Sequence, residues 1–277
     1  MTHELERARK ALRELGKSLK SLPGNPPPRG VHKLRTTTRR VEAMAAALPP
    51  GDEKKSRRLL KSIETVRKAA GSVRDMDVML ANAHRLGRRS AGDSLTRLIE
   101  HLQIARQQQA EALERALGHR RDSARENLKA YSRLVRAALA AEKKKDASED
   151  GLPVPPPENL QTAATDTARV LGSWPPLDAE NIHAFRLKVK ELRYILQLSA
   201  DADPALIDAL TAAQRCIGDW HDWLQLEEIA REVLVREEDG ALLKRIDQTV
   251  RRKYSKALAE ANSLRGKYLT APLAYGA

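Results

Sequence analysis

The stretch VHKLRTTTRRVEAM (Val31–Met44) decides the fold, because IHAFRLKVKELRYI (Ile182–Ile195) repeats its pattern far downstream. On a helical wheel at about 100° per residue, His32, Arg35 and Arg39 share one face, and Leu34, Val41, Met44 and Leu48 oppose them. In the second copy His183, Arg186, Lys190 and Arg193 share a face, backed by Phe185, Val189, Leu192 and Leu196. Each copy reads as an amphipathic helix with a basic stripe on one side and core on the other.

The same periodicity extends in both directions. Leu12, Leu15 and Leu19 space a helix before the first copy. Leu59, Leu60, Ile63 and Val66 space one after it, Val73, Met76 and Met79 another, and Leu95, Leu98, Leu102 and Leu113 a long fifth. Helical patterning resumes with Leu160, Val170 and Leu171 and continues through 178–200, 204–217, 219–238 and 240–268, with no convincing strand alternation. Breaks fall at LPGNPPPRG, LPPGD, LGRRSAGD and WPPLD. The fold class expected is all-α, with about ten helices.

The run EKKKDASEDGLPVPPPEN (Glu142–Asn159) combines charge and proline and reads as an exposed linker. It separates half-repeats of approximately 1–141 and 160–270 within a single domain spanning 1–277. Gly71-Ser72-Val73-Arg74-Asp75 aligns with Gly218-Asp219-Trp220-His221-Asp222. Each half is therefore expected to hold a His–basic helix, a second helix, and a third that starts at the glycine, with Asp219 as an N-cap. Two such four-helix-like bundles are expected to pack about a pseudo-twofold axis.

Composition narrows the partners. Lys and Arg outnumber Asp and Glu by 50 to 37, a net charge of +13. Such an excess favours polyanions: nucleic acid, anionic membrane or phosphate polymers. The single cysteine, Cys216, leaves no disulfide framework and reads as a small core residue. The N-terminal stretch is charged throughout, and no apolar run approaches a membrane span, so a soluble cytoplasmic protein is expected. Aromatic residues are scarce, which argues against modules that stack bases.

A third basic stripe lies in KKSRRLLKSIETVRKAA (54–70). Lys54, Arg57, Arg58, Lys61 and Lys68 fall together, with only Glu64 nearby to neutralise them. Like charges at i, i+3 and i+4 repel by a few tenths of a kcal/mol per pair. A stripe of this kind suits an anion lying along it, held by charge and counterion release. Arginine adds bidentate phosphate geometry, and a histidine near a helix start adds a donor. The same pattern also describes a plain solvated helix face.

Other chemistry finds less support. The seven histidines show no H-x-x-x-H or H-E-x-x-H spacing, so no metal or other cofactor is expected; a metal would need His32 and His183 to meet. Asp75, Asp77 and Asp222 read as partners of arginines such as Arg74 and Arg215, or as helix caps, rather than as catalysts. Trp174, Trp220 and Trp223 read as packing residues. No phosphate-cradling G-x-x-x-x-G-K-[ST] loop and no G-x-S-x-G elbow occur.

Together these residues resemble the CHAD domain, the conserved histidine α-helical domain. VHKLRTTTRRVEAM resembles its first signature, Arg74-Asp75-Met76-Asp77 its R-D-L-D element, and IHAFRLKVKELRYI its second-half signature, over roughly residues 5 to 265. The resemblance implies two pseudo-symmetric helical bundles around a basic central groove. It also implies binding of inorganic polyphosphate without catalysis, and cytoplasmic association with polyphosphate granules. By position it assigns His32, Arg35 and Arg39, then His183, Arg186, Lys190, Arg193 and Tyr194, to the polymer. Arg40 and the stripe Lys54, Arg57, Arg58 and Lys61 join them in the expected lining, and the first half is expected to dominate. Three features depart from the family pattern: Thr36-Thr37-Thr38 where apolar residues are usual, and Glu42 and Glu191 where bases are usual. The alternatives from other classes are a nucleic-acid binder on the same surface and an accessory phosphohydrolase acting on phosphate polymers. The first would call for a recognition helix with Asn, Gln or Arg reaching bases, and no such segment stands out; the second would show metal-dependent phosphate release abolished by changing Asp75 or His32.

Overall fold

Asp52 and Asp203 each turn a carboxylate back onto the backbone N–H of a residue two or three positions on, Lys55 (3.0 Å) and Ala205 (2.8 Å), and so start the two central helices. In the computed structural model, which describes residues 2–23, 25–47, 52–87, 92–146, 158–197 and 202–270, every regular element is helical. The α-helices are α1 (Thr2–Ser21), α2 (Pro28–Ala47), α3 (Glu53–Gly87), α4 (Asp93–Asp146), α5 (Glu158–Gly172), α6 (Ile182–Leu196), α7 (Pro204–Val233) and α8 (Gly240–Leu264). A 3-10 turn, Glu237–Asp239, leads into α8, and a π turn, Arg265–Leu269, extends it. No described helix is long and apolar enough to cross a membrane.

There are eight α-helices among the described residues rather than about ten, because two expected breaks are continuous helix. Gly71 lies inside α3 and Gly218 inside α7. A glycine in a helix interior costs about 1 kcal/mol relative to alanine. The buried residues on either side offset it: Val66, Ala70 and Val73 in α3, and Ala213, Ile217 and Trp220 in α7. Asp219 is accordingly not an N-cap; its carboxylate takes a salt bridge from Lys253 of α8. Asp77 pairs not with Arg74 but with Arg106 of α4, at 3.0 Å. Residues 142–146 of the expected linker end α4, and 158–159 begin α5. Residues 147–157 and Leu48 lie outside the described residues.

The chain divides into two compact units: Met1–Arg85 with Ile99–Leu152, and Leu86–Leu98 with Pro153–Ala277. The division is not a single cut at the linker, since Leu86–Leu98, from the end of α3 to the start of α4, belongs with the second unit. Local bonds explain this. Arg245 donates to the Leu86 carbonyl (3.0 Å), and the fully buried Asp239 accepts from Ser94 and Arg97 at the start of α4.

The first unit's core draws Leu12, Leu15 and Leu19 from α1, Val31, Leu34 and Val41 from α2, Leu59, Ile63 and Val73 from α3, and Leu113, Leu117 and Tyr131 from α4. The three threonines sit in α2 without disrupting it. Thr37 and Thr38 are buried, and their hydroxyls donate to the carbonyls of Lys33 and Leu34 one turn back. The polar atom is satisfied locally, leaving the methyl to pack.

In the second unit α7 packs between α6 and α8, and α5 packs on α6. Phe185, the single phenylalanine, is fully buried, with its ring edge-on to Trp174 (5.7 Å between centroids). Trp220, Trp223 and Cys216 are buried nearby in sequence on α7, as expected for packing residues. Gly172 is required at the end of α5: a Cβ there would lie 2.3 Å from the Leu269 carbonyl oxygen of the π turn.

Candidate functional site

Each unit repeats one device, a short His–basic helix laid against a longer helix. In the second unit the short helix is α6. His183, Arg186, Lys190 and Arg193 follow one another up the side of α6 next to its buried face of Ile182, Phe185, Val189, Leu192 and Leu196. Across from them stands α7. The His183 and His221 rings lie 5.0 Å apart, inclined by 38°. Burial, reinforced by His221 and then Arg186, holds the His183 imidazole below the usual histidine range. Arg186 is half-buried and donates from Nε to the Gln214 carbonyl (3.2 Å). Its guanidinium lies over Gly218, with Nη2 3.0 Å from where a Cβ would stand.

Tyr194 gathers the remaining cations. The Lys190 ammonium and the Arg193 guanidinium lie 5.5 and 5.1 Å from its ring centroid. Such contacts hold a cation in place at modest energetic gain. Glu191, one of the departures from the family pattern, is turned about 90° or more from this flank on the wheel. It pairs instead with Lys188 (2.9 Å) and leaves the flank's charge intact.

The first unit builds the corresponding flank differently. His32 is exposed, and Arg35 and Arg39 are half-buried on α2. Glu42 bonds Arg67 of α3 at 2.7 Å. In the alignment of the two motifs, Glu42 matches Arg193 and Arg67 matches Gln214. The second unit therefore has a cation and an amide where the first has a closed ion pair. Arg193 makes no ion pair among the described residues, and its Nε and the Gln214 Oε1 are buried without hydrogen-bond partners. Gly71, the counterpart of Gly218, has nothing within 4 Å of its would-be Cβ.

The remaining expected residues of the first unit are not brought to its own α2 flank. Arg40 points to α1 and pairs with Glu14 (3.3 Å). Lys54, Arg57, Arg58 and Lys61 are all exposed. On the wheel they lie about 130° around α3 from Arg67, nearly opposite the core. Arg67 fixes the register with α2. Lys54 stands 13 residues, roughly 20 Å of helix, to one side of it, while Arg35 stands about 10 Å to the other side of Glu42. The stripe is also less bare than the sequence suggests, since Glu53 pairs with Arg57 and Glu64 with Lys68. Residues 1–141 nevertheless hold 31 Lys and Arg against 15 Asp and Glu, whereas residues 160–277 hold 16 against 17. The chain's positive excess thus lies in its first half, whereas the cations held by Tyr194 and the Gln214 carbonyl lie in the second.

The site residues that the motifs alone did not assign are His221, Gln214 and Gly218 on α7 and Arg67 on α3. The alignment of Gly71–Asp75 with Gly218–Asp222 contained the signal, because α7 runs unbroken and so turns His221 toward α6. Asp77, whose side chain is 2% exposed, is committed to structure. Arg106 binds it while also donating to Asn25 (2.6 Å) and to the Pro26 carbonyl (2.5 Å). No group of three or more metal-ligating side chains occurs among the described residues.

The CHAD domain profile matches residues 5–231, which takes in both His–basic helices, all of α3 and α4, and most of α7. The chain belongs to the CHAD domain family. The crystal structure of the CHAD domain from the plant Ricinus communis superposes with a TM-score of 0.62 at 17% identity, covering 96% of this chain and 90% of that one. At that identity the likeness establishes a shared all-α CHAD fold. A search of curated proteins returned no match. Within this CHAD domain the family signatures coincide with the two short helices, and the second coincides with the α6–α7 flank.

Proposed function

We propose that this CHAD domain binds inorganic polyphosphate non-catalytically, and that the flank formed by α6 and α7 is where the polymer is held. The observation that carries the reading is the convergence on one flank of Arg186, Lys190, Arg193 and His221, all partly buried, with the exposed His183 against His221, held by α7 and Tyr194. A phosphate chain offers a negative charge at every repeat. Cations fixed at each helical turn meet it without the ordering cost of free lysine and arginine side chains. Arg35 and Arg39 on α2 supply a weaker counterpart, because Arg67 beside them is already neutralised by Glu42. The surplus charge of the first half, with the outer stripe Lys54, Arg57, Arg58 and Lys61, acts at longer range by drawing the polymer in. Binding of this kind places the protein on polyphosphate granules wherever these form.

The reading is tested by titrating long-chain polyphosphate at increasing salt, with phosphate release followed in parallel. Affinity is expected to fall steeply, log-linearly with salt, with no phosphate released with or without magnesium. Affinity indifferent to salt, or steady phosphate release, would overturn it.

A further inference from the structure

A side chain in an α-helix leans toward the helix N-terminus and covers the carbonyl one turn earlier. Position 218 therefore decides whether the Gln214 carbonyl is open on the side facing α6. With glycine there it is open, and Arg186 uses it, donating from Nε at 3.2 Å. The guanidinium turns its Nε–Nη2 edge to the space the side chain would fill: Nη2, Nε and Cζ are 3.0, 3.3 and 3.5 Å from the Cβ position. Glycine is otherwise a poor choice in the interior of a helix. Its counterpart Gly71 stands equally deep in α3 with no atom within 4 Å of the same point. Arg35, the counterpart of Arg186, makes no hydrogen bond or ion pair among the described residues.

We propose that Gly218 is a positioning residue for polyanion binding: by leaving the α7 backbone bare it fixes the plane of the Arg186 guanidinium before a phosphate arrives. The proposal rests on the polyphosphate reading for its ligand, but not for its geometry. It makes Gly218 and Gly71 unequal although the sequence aligns them, and it makes the second His–basic helix the preorganised one. Arginine differs from lysine in having a rigid planar fork, and a fork gains most from being pre-set.

The test compares Gly218→Ala, Gly218→Leu and Gly71→Ala in the full chain, none of which changes charge. Long-chain polyphosphate affinity at fixed salt is expected to fall a few-fold in Gly218→Ala and at least tenfold in Gly218→Leu. Gly71→Ala is expected to match the parent. Both Gly218 variants are expected to melt at or above the parent temperature, since alanine and leucine are better helix formers. A merely structural role predicts the reverse. Should Gly218→Leu not fold, Gly218→Ala alone decides. In an Arg186→Ala background the Gly218 substitutions are expected to have no further effect; a full additional loss would overturn the proposal, as would Gly218→Leu binding like the parent. A second readout needs no ligand. The Arg186 Nε–H resonance, assigned by its disappearance in Arg186→Lys, is expected to exchange slowly in the parent and rapidly in the Gly218 variants. Protection followed by loss in a protein that does not bind polyphosphate would refute the function and leave the positioning role standing. Rapid exchange in the parent would refute the positioning role.

Discussion

His183 of α6 and His221 of α7 face each other with ring centroids 5.0 Å apart, and Arg186 lies close enough to add its charge. Two imidazoles and a guanidinium at this spacing resist acquiring further positive charge. The His183 pKa is held down chiefly by burial. A group whose folded pKa is lowered in this way favours folding while neutral, and that contribution is lost as pH falls below the ordinary value near 6.5. A bound polyanion reverses the balance by stabilising the protonated rings. Polyphosphate affinity is therefore expected to rise roughly three- to tenfold between pH 7.5 and 5.5, with proton uptake on binding. His183→Asn with His221→Asn should flatten this profile, measured by titration calorimetry in buffers of differing ionisation enthalpy.

Glu42 closes on Arg67 in the first unit, where the aligned Arg193 of the second unit makes no ion pair among the described residues. Glu42→Gln is expected to release Arg67 and raise polyphosphate affinity about two- to fivefold. Both side chains are about a quarter exposed, so the change should cost only about 1 kcal/mol of stability. Binding isotherms beside denaturant melts separate the two effects.

The outer stripe of α3 and the flank of α6 have similar numbers of cations but different surroundings. Arg57→Ala, Arg58→Ala and Lys61→Ala together are expected to slow association and reduce the salt slope, with a modest loss of affinity. Arg186→Ala, Lys190→Ala and Arg193→Ala together are expected to cost more than tenfold, mostly in dissociation rate. Stopped-flow measurements at two salt concentrations distinguish them. An equal number of substitutions around Arg251, on the exposed side of α8, should do least.

Asp77 tests the catalytic alternative. Arg106→Ala leaves a nearly buried carboxylate without its cation and is expected to cost about 3 kcal/mol. Polyphosphate affinity of the folded variant should be unchanged. Loss of a phosphate-releasing activity, rather than of stability, would restore Asp77 to a catalytic role.

Much of this was legible from periodicity. Val31, Leu34 and Val41 in the first stretch and Ile182, Phe185, Val189 and Leu192 in the second face the cores as the wheel requires, and the basic faces lie beside them. The misreadings share one cause. Glycine in Gly71-Ser72 and Gly218-Asp219 looks like punctuation, yet buried neighbours on both sides hold each helix through it. That error hid the register, and with it the meeting of His183 with His221. The outer stripe was legible as charge but not as position: clustering along a sequence does not say which side of a helix it occupies relative to a neighbour, and Lys54, Arg57, Arg58 and Lys61 lie on the exposed side of α3, turned from Arg67. Glu42 and Glu191 look alike as departures from a pattern. Only their partners, Arg67 and Lys188, reveal that the first neutralises a flank and the second does not.

The most direct measurement of the central claim is a salt-matched titration of the full chain with long-chain polyphosphate, single-stranded and double-stranded nucleic acid, run beside the Arg186→Ala, Lys190→Ala, Arg193→Ala variant. Polyphosphate is expected to bind most tightly at every salt concentration and to lose more than tenfold in the variant, while weaker nucleic-acid binding changes little. Equal affinity for all three polymers, or polyphosphate binding untouched by the three substitutions, would contradict it.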